Sequence, residues 1–104
     1  MIRKAFVMSV HAGKEREYQA RHNPIWRELE QALKDHGVHN YSIFLHPATR
    51  QLFAYVEIED QDRWDGIATT AICKKWWAHM KDTMPTNNDN SPRSVELKEV
   101  FHID

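Results

Sequence analysis

Tyr18 and His22 stand one helical turn apart in "KEREYQARHNPIW", and they are the first residues in the chain that could do chemistry. Imidazole titrates near neutral pH, so a histidine is the side chain best suited to moving a proton there. Ile25 and Leu29 continue the spacing by three and then four residues, which puts all four side chains on one stripe facing a core. Two polar tips on an apolar stripe read in two ways. They are either rim residues hydrogen-bonded to backbone, or the polar end of a cleft between helix and sheet. Trp76 and Trp77 raise a related question, because adjacent residues on a helix point about 100° apart. One extends the stripe of Ile72 and Met80; the other packs at an interface or lines a cavity. Aromatic faces with a few fixed polar groups are the usual wall of a small-molecule pocket, and a sugar, with apolar C–H patches and hydroxyl edges, matches such a wall. "NNDNSP" at 87–92 offers amides and a carboxylate for vicinal hydroxyls, or simply a turn-rich loop.

Other candidates carry less. His36 and His39 flank Gly37 with no acidic or cysteine ligand pattern beside them, so no metal site is expected. Cys73 is the single cysteine, which excludes an internal disulfide, and it reads as a small buried apolar residue. Asn40-Tyr41-Ser42 matches a glycosylation sequon but lies in a strand pattern. Fourteen Lys and Arg against fifteen Asp and Glu leave a formal charge of -1, so no global field draws the chain to nucleic acid or anionic lipid. "MIRKAFVMSV" is too short and too charged for a secretory core segment, and no apolar run approaches the ~18 residues of a membrane span. A cytoplasmic location is expected. At 104 residues the chain has room for a single domain, 1–104.

The elements that must position these residues follow from periodicity. Residues 2–10 place Phe6, Met8 and Val10 on one face of a strand. Lys14 to His22 reads as a helix, and Asn23 as N-cap with Pro24 at the first helical position restarts it, until Gly37 stops it. "VHNYSIFLH" and "QLFAYVEI" form a hairpin across "PATR". Asp60 caps a segment containing Trp64 and Ile67, weakened by Gly66 and Thr69-Thr70, and "AICKKWWAHMKDTM" resumes the helix until Pro85 ends it. Val95, Leu97, Phe101 and Ile103 share one face of a last strand. The order β-α-β-β-α-β is the α+β ferredoxin-like sandwich, with two helices on one face of a four-stranded antiparallel sheet. The uncovered face would carry Phe44, Phe53 and Tyr55, an apolar patch that points to a homodimer packed sheet to sheet, the dimeric α+β barrel arrangement.

"RHNPIW", "HNY", "KWW" and "MPTNNDNSP", in this order and spread over nearly all of the chain, resemble the L-rhamnose mutarotase family. The resemblance implies a cytoplasmic, dimeric ferredoxin-like protein that interconverts the α and β anomers of L-rhamnose without cofactor or metal. It also implies His22 as proton donor and Tyr18, Tyr41, Trp76 and Trp77 as sugar-binding residues. The base is left open between Tyr18, a loop carboxylate such as Asp89, and water. Two other functions fit the same fold: an oxidative enzyme of the dimeric α+β barrel type, and a non-catalytic sugar-binding module.

Overall fold

Strict alternation builds the sheet in the computed structural model, which describes residues 1–104. In strand β3 (Gln51–Ile58), Leu52, Ala54, Val56 and Ile58 all point inward and are buried, while Phe53, Tyr55 and Glu57 point away. β3 pairs antiparallel with β1 (Ile2–Ser9) on one side and β2 (Val38–His46) on the other. A short β4 (Val95–Leu97) adds to the free edge of β1, giving the order β2-β3-β1-β4. This is the ferredoxin-like topology expected from the element order.

Each of the two helical layers is broken in two. The first comprises α1 (Glu15–Arg21) and α2 (Arg27–Asp35); the second comprises α3 (Gln61–Ile67) and α4 (Ala71–Met80). Asp60 caps α3 as expected, accepting from the Arg63 N–H at 2.9 Å. Thr70, which reads in sequence as a weak point, is the N-cap of α4 and accepts from the Cys73 N–H.

Three expectations need correction. Asn23 does not cap the following helix. Its side-chain amide reaches back to the Gln19 carbonyl at 2.8 Å, so it closes α1, and α2 begins only at Arg27 with Trp26 at its N-cap. The Asn23–Pro24 peptide is cis. The second helix stops at Met80 rather than running to Pro85, because the Thr83 hydroxyl and N–H both return to the Met80 carbonyl and turn the chain. Met84 stays buried all the same. The last strand is only three residues long, and Phe101 and Ile103 lie beyond it, 67% and 80% exposed.

The helices cover one face of the sheet with two adjoining apolar clusters. One joins Met8, Tyr18, Leu29, Leu52, Trp76 and Met80 among others; the second centres on Val56, Ile58, Ile67 and Cys73. The opposite face exposes Phe44 at 66%, paired across the hairpin with Phe53.

Candidate active site

The end of α1 is shaped by the side chains it presents. His22 is its C-cap, and the ring Nδ1 lies 2.8 Å from the Tyr18 carbonyl oxygen. A carbonyl only accepts, so Nδ1 carries the proton and Nε2 keeps a free lone pair. Asn23 satisfies the next carbonyl, that of Gln19. The helix therefore ends by consuming two polar side chains on its own last turn, and the histidine ring is fixed with one nitrogen committed and the other available.

Around that ring an aromatic box closes. The Tyr18 ring lies 4.5 Å from His22 by centroids, and Trp76 meets His22 edge-on at 5.1 Å and 86°. Trp26 in turn meets Trp76 edge-on at 5.0 Å and lies 5.0 Å from the His79 ring at a tilt of 34°. Arg21 ties the same two helices together from outside: its guanidinium donates to the His79 carbonyl at 2.6 Å and grips the Asp82 carboxylate at 2.7 and 3.1 Å. The paired guanidinium holds the Asp82 carboxyl down at about 2.

Tyr18, His22 and Trp76 border a cavity of about 1120 Å³ between helices and sheet, and Trp26, His79, Arg21 and Asp82 pack outside its lining. Tyr18, His22, Trp76, Trp77 and Tyr41 all line it, so the structure brings together the five residues that the family resemblance implies for the site. Trp76 serves core and cavity at once, while half-buried Trp77 packs on both apolar clusters. Tyr41 arrives by a device that simple alternation does not supply. The β2–β3 register shifts between His39 and Ser42, and Asn40 adopts a left-handed φ of 48°. This bulge turns Tyr41 toward Phe6 and Trp64, at 6.4 and 6.1 Å by ring centroids. Asn40 itself stays on the outer face, bonded to Glu57 at 3.0 Å.

Burial sets the protonation states. It lowers the His22 pKa below the ordinary 6.5, opposed only by the bond to the Tyr18 carbonyl. Burial also pushes the phenols of Tyr18 and Tyr41 up from 10, and the thiol of Cys73 up to about 11, so that sulfur is protonated and inert at neutral pH. Tyr41 is 36% exposed as a whole residue, yet burial around its phenol raises the pKa, and Tyr18 and Cys73 add to the upward push. The hydroxyls of Tyr18 and Tyr41 have no protein partners, and both residues line the cavity.

The 87–92 loop contributes Asn87, Asp89 and Ser91 to the cavity rim. It is held by an Asn87 N–H bond to the Ser91 carbonyl at 2.8 Å and by Ser91 donating from both hydroxyl and N–H to the Asp89 carboxylate. Those bonds hold the Asp89 carboxyl below its usual range. His36 bonds the Ala32 carbonyl away from the cavity, and His39, at the cavity edge, bonds Glu59. No group of three His, Cys, Asp or Glu residues comes close enough to hold a metal ion. Phe6 and Trp64 line the cavity without being anticipated there, and Trp26 and His79 support it from outside by packing on Trp76. The signal for Trp26 was present, since it widens the Ile25-Leu29 stripe on the side that Trp76 meets.

The chain is similar over its whole length to known proteins. The sequence signature described as L-rhamnose mutarotase matches residues 3–103. A protein named L-rhamnose mutarotase from Opitutus terrae is 69% identical over 104 residues, covering all of both chains. Another of that name from Tolumonas auensis is 61% identical over 103 residues and 99% of each chain. The crystal structure of L-rhamnose mutarotase from Formosa agariphila superposes with a TM-score of 0.93 at 42% identity, over the full length of both. An antibiotic biosynthesis monooxygenase superposes at a TM-score of 0.63 with 12% identity over 96% of this chain and 99% of its own, which speaks to the fold alone. The chain belongs to the L-rhamnose mutarotase family.

Proposed function

We propose that the protein interconverts the α and β anomers of L-rhamnose, with His22 as the proton-transfer group. The observation that carries this is the fixed His22 ring, its Nδ1 committed to the Tyr18 carbonyl and its Nε2 without a protein partner, on a cavity that Tyr18 and Trp76 also line.

Mutarotation opens a cyclic hemiacetal and closes it on the other face of the aldehyde. The proton leaves the anomeric hydroxyl, the bond from the anomeric carbon to the ring oxygen breaks, and the ring oxygen gains a proton. Both oxygens are bonded to the same carbon, so one imidazole reaches both. Neutral His22 takes the anomeric proton on Nε2; the imidazolium then delivers it to the departing ring oxygen. After rotation about the C1–C2 bond the same two transfers run in reverse. His22 is thus base and then acid in each direction, and the donor role implied by the family resemblance is its second half. The Tyr18 phenol, kept protonated by burial, donates a hydrogen bond to the oxygen that carries developing charge. Trp76 and Trp77 pack on the sugar's C–H faces, and Tyr41 offers a hydroxyl from the sheet side. Asp89 is a weak base, since Ser91 stabilises its anion. It acts at the rim as an acceptor for hydroxyls.

The open sheet face and the apolar tail suit a second copy of the chain. Phe44, Phe53 and Leu97, with Phe101 and Ile103 beyond, form more apolar surface than a monomer of this size commonly leaves in water. No helix is long and apolar enough to cross a membrane, and a cytoplasmic, homodimeric enzyme acting without cofactor or metal is the reading we favour.

The test is NMR saturation transfer between the two anomeric protons of L-rhamnose, with catalytic amounts of protein. Faster exchange than in buffer alone is expected, and an unchanged exchange rate with sugar bound would leave only a binding module.

A further inference from the structure

Glu15, Tyr18 and His22 are spaced three and four residues apart, so they form one stripe along α1, and all three line the cavity. Glu15 has one distinction. Its Oε1 is the only buried side-chain nitrogen or oxygen in the chain without a hydrogen-bond partner. The other carboxylates close to α1 are engaged, Glu17 and Asp82 both by Arg21. A buried carboxylate oxygen left unpaired is costly, and folded proteins keep few of them. One that borders the substrate cavity is placed to receive a donor from a ligand.

We propose that Glu15 is a specificity-determining residue that accepts a hydrogen bond from a ring hydroxyl of the sugar remote from the anomeric carbon. This rests on the mutarotase reading of the same cavity. Its place on the helix decides between this role and that of a second catalytic base. At a rise of about 1.5 Å per residue, Glu15 lies roughly 10 Å along the axis from His22. The two reacting oxygens of the hemiacetal are bonded to one carbon. A side chain two turns away does not reach the pair that His22 serves, but it does reach the other side of a sugar ring seated against Tyr18. Sugars that keep the hemiacetal but lack the recognised hydroxyl then bind more weakly while reacting by the same chemistry.

The experiment compares L-rhamnose with its 2-, 3- and 4-deoxy analogues in the wild-type protein and in Glu15→Ala, reading anomer exchange as KM and kcat separately. The wild type is expected to lose ~10-fold or more in kcat/KM on one analogue, the effect of one hydrogen bond to a charged acceptor, mainly through KM. In Glu15→Ala that penalty should shrink to less than about twofold, because the partner is already gone. Glu15→Gln, which keeps an acceptor oxygen, should restore part of it, and it carries the same comparison if the alanine variant does not fold. An analogue pattern identical in variant and wild type would overturn the assignment and leave Glu15 bound to a structural water. Absence of exchange in the wild type itself would overturn the mutarotase reading, and the Glu15 assignment with it.

Discussion

Replacing Tyr18 by Phe removes a single oxygen from the centre of the site, and the structure gives that change opposite signs for stability and for activity. The Tyr18 ring is 8% exposed and packs in the larger apolar cluster, so the phenylalanine keeps nearly all of its contacts. Its hydroxyl has no protein hydrogen-bond partner and belongs to a residue that lines the open cavity, and burial pushes its pKa up. Removing a buried hydroxyl that has a protein partner costs about 0.5–1.5 kcal/mol, whereas removing one without a partner costs nothing or stabilises slightly. Tyr18→Phe is therefore expected to melt at or a little above the wild-type temperature. The sugar loses a hydrogen bond worth about the same 0.5–1.5 kcal/mol, and ~1.4 kcal/mol is tenfold in rate. Exchange at low sugar concentration should fall by roughly two- to tenfold. Thermal unfolding by circular dichroism and saturation-transfer NMR on one preparation give both values. A variant destabilised by more than about 1 kcal/mol with unchanged exchange would show that the hydroxyl serves the fold, and the account of the site built on it would fail.

Three further outcomes follow from the same geometry. His22→Asn keeps a polar side chain able to reach the Tyr18 carbonyl, so it should fold and still quench tryptophan fluorescence on sugar binding, while exchange falls ~10²-fold or more; wild-type exchange in a folded variant would end the proton-transfer assignment. The rate should rise from acid pH to a plateau with a midpoint below 6.5, because burial lowers the His22 pKa and the neutral form is the one that reacts. The stability sign agrees: the folded chain binds that proton less readily than the unfolded one, so the His22 contribution is whole above pH 6.5 and is lost as pH falls through the folded pKa, and a midpoint above 6.5 for either quantity would contradict the burial argument. Phe44→Asp, on the open sheet face, should shift sedimentation toward the 12.3 kDa monomer, and a wild-type protein that already sediments as the monomer at micromolar concentration would refute the dimer.

Much of this is legible in the sequence. Period-two runs such as "QLFAYVEI" leave little choice of face, because a one-residue slip would expose Leu52, Ala54, Val56 and Ile58 together. The stripe of Tyr18 and His22 was equally plain. What escaped was the direction in which ambiguous caps act. Asn serves either end of a helix. At position 23 it lies four residues after Gln19, as His22 lies four after Tyr18, so two carbonyls of the ending helix were nearer than any N–H of the next one. Thr70 illustrates the converse: poor helix propensity inside a segment is good propensity for a boundary. The last strand was overextended because Val95, Leu97, Phe101 and Ile103 alternate correctly, yet β1 offers β4 partners only at Ala5, Phe6 and Val7. Alternation records what could be buried, not where the partner is.

Tyr41 shows how a site can be written into such a pattern and still be missed. Val38 points inward beside Ile58, and Ile43 and Leu45 point inward beside Ala54 and Leu52. An even and two odd positions cannot share one face of a regular strand, so one residue between them has to be taken out of the alternation. Asn40 is the residue suited to that, since its short polar side chain tolerates a positive φ. "HNY" therefore encodes a bulge and its product together: Asn40 turns the chain, and Tyr41 enters the cavity beside Trp64. The helix break at His22 works by the same logic. In both places regular hydrogen bonding stops within one residue of a polar side chain that lines the cavity, so the irregular backbone is what aims the two groups, from helix and from sheet, at one volume.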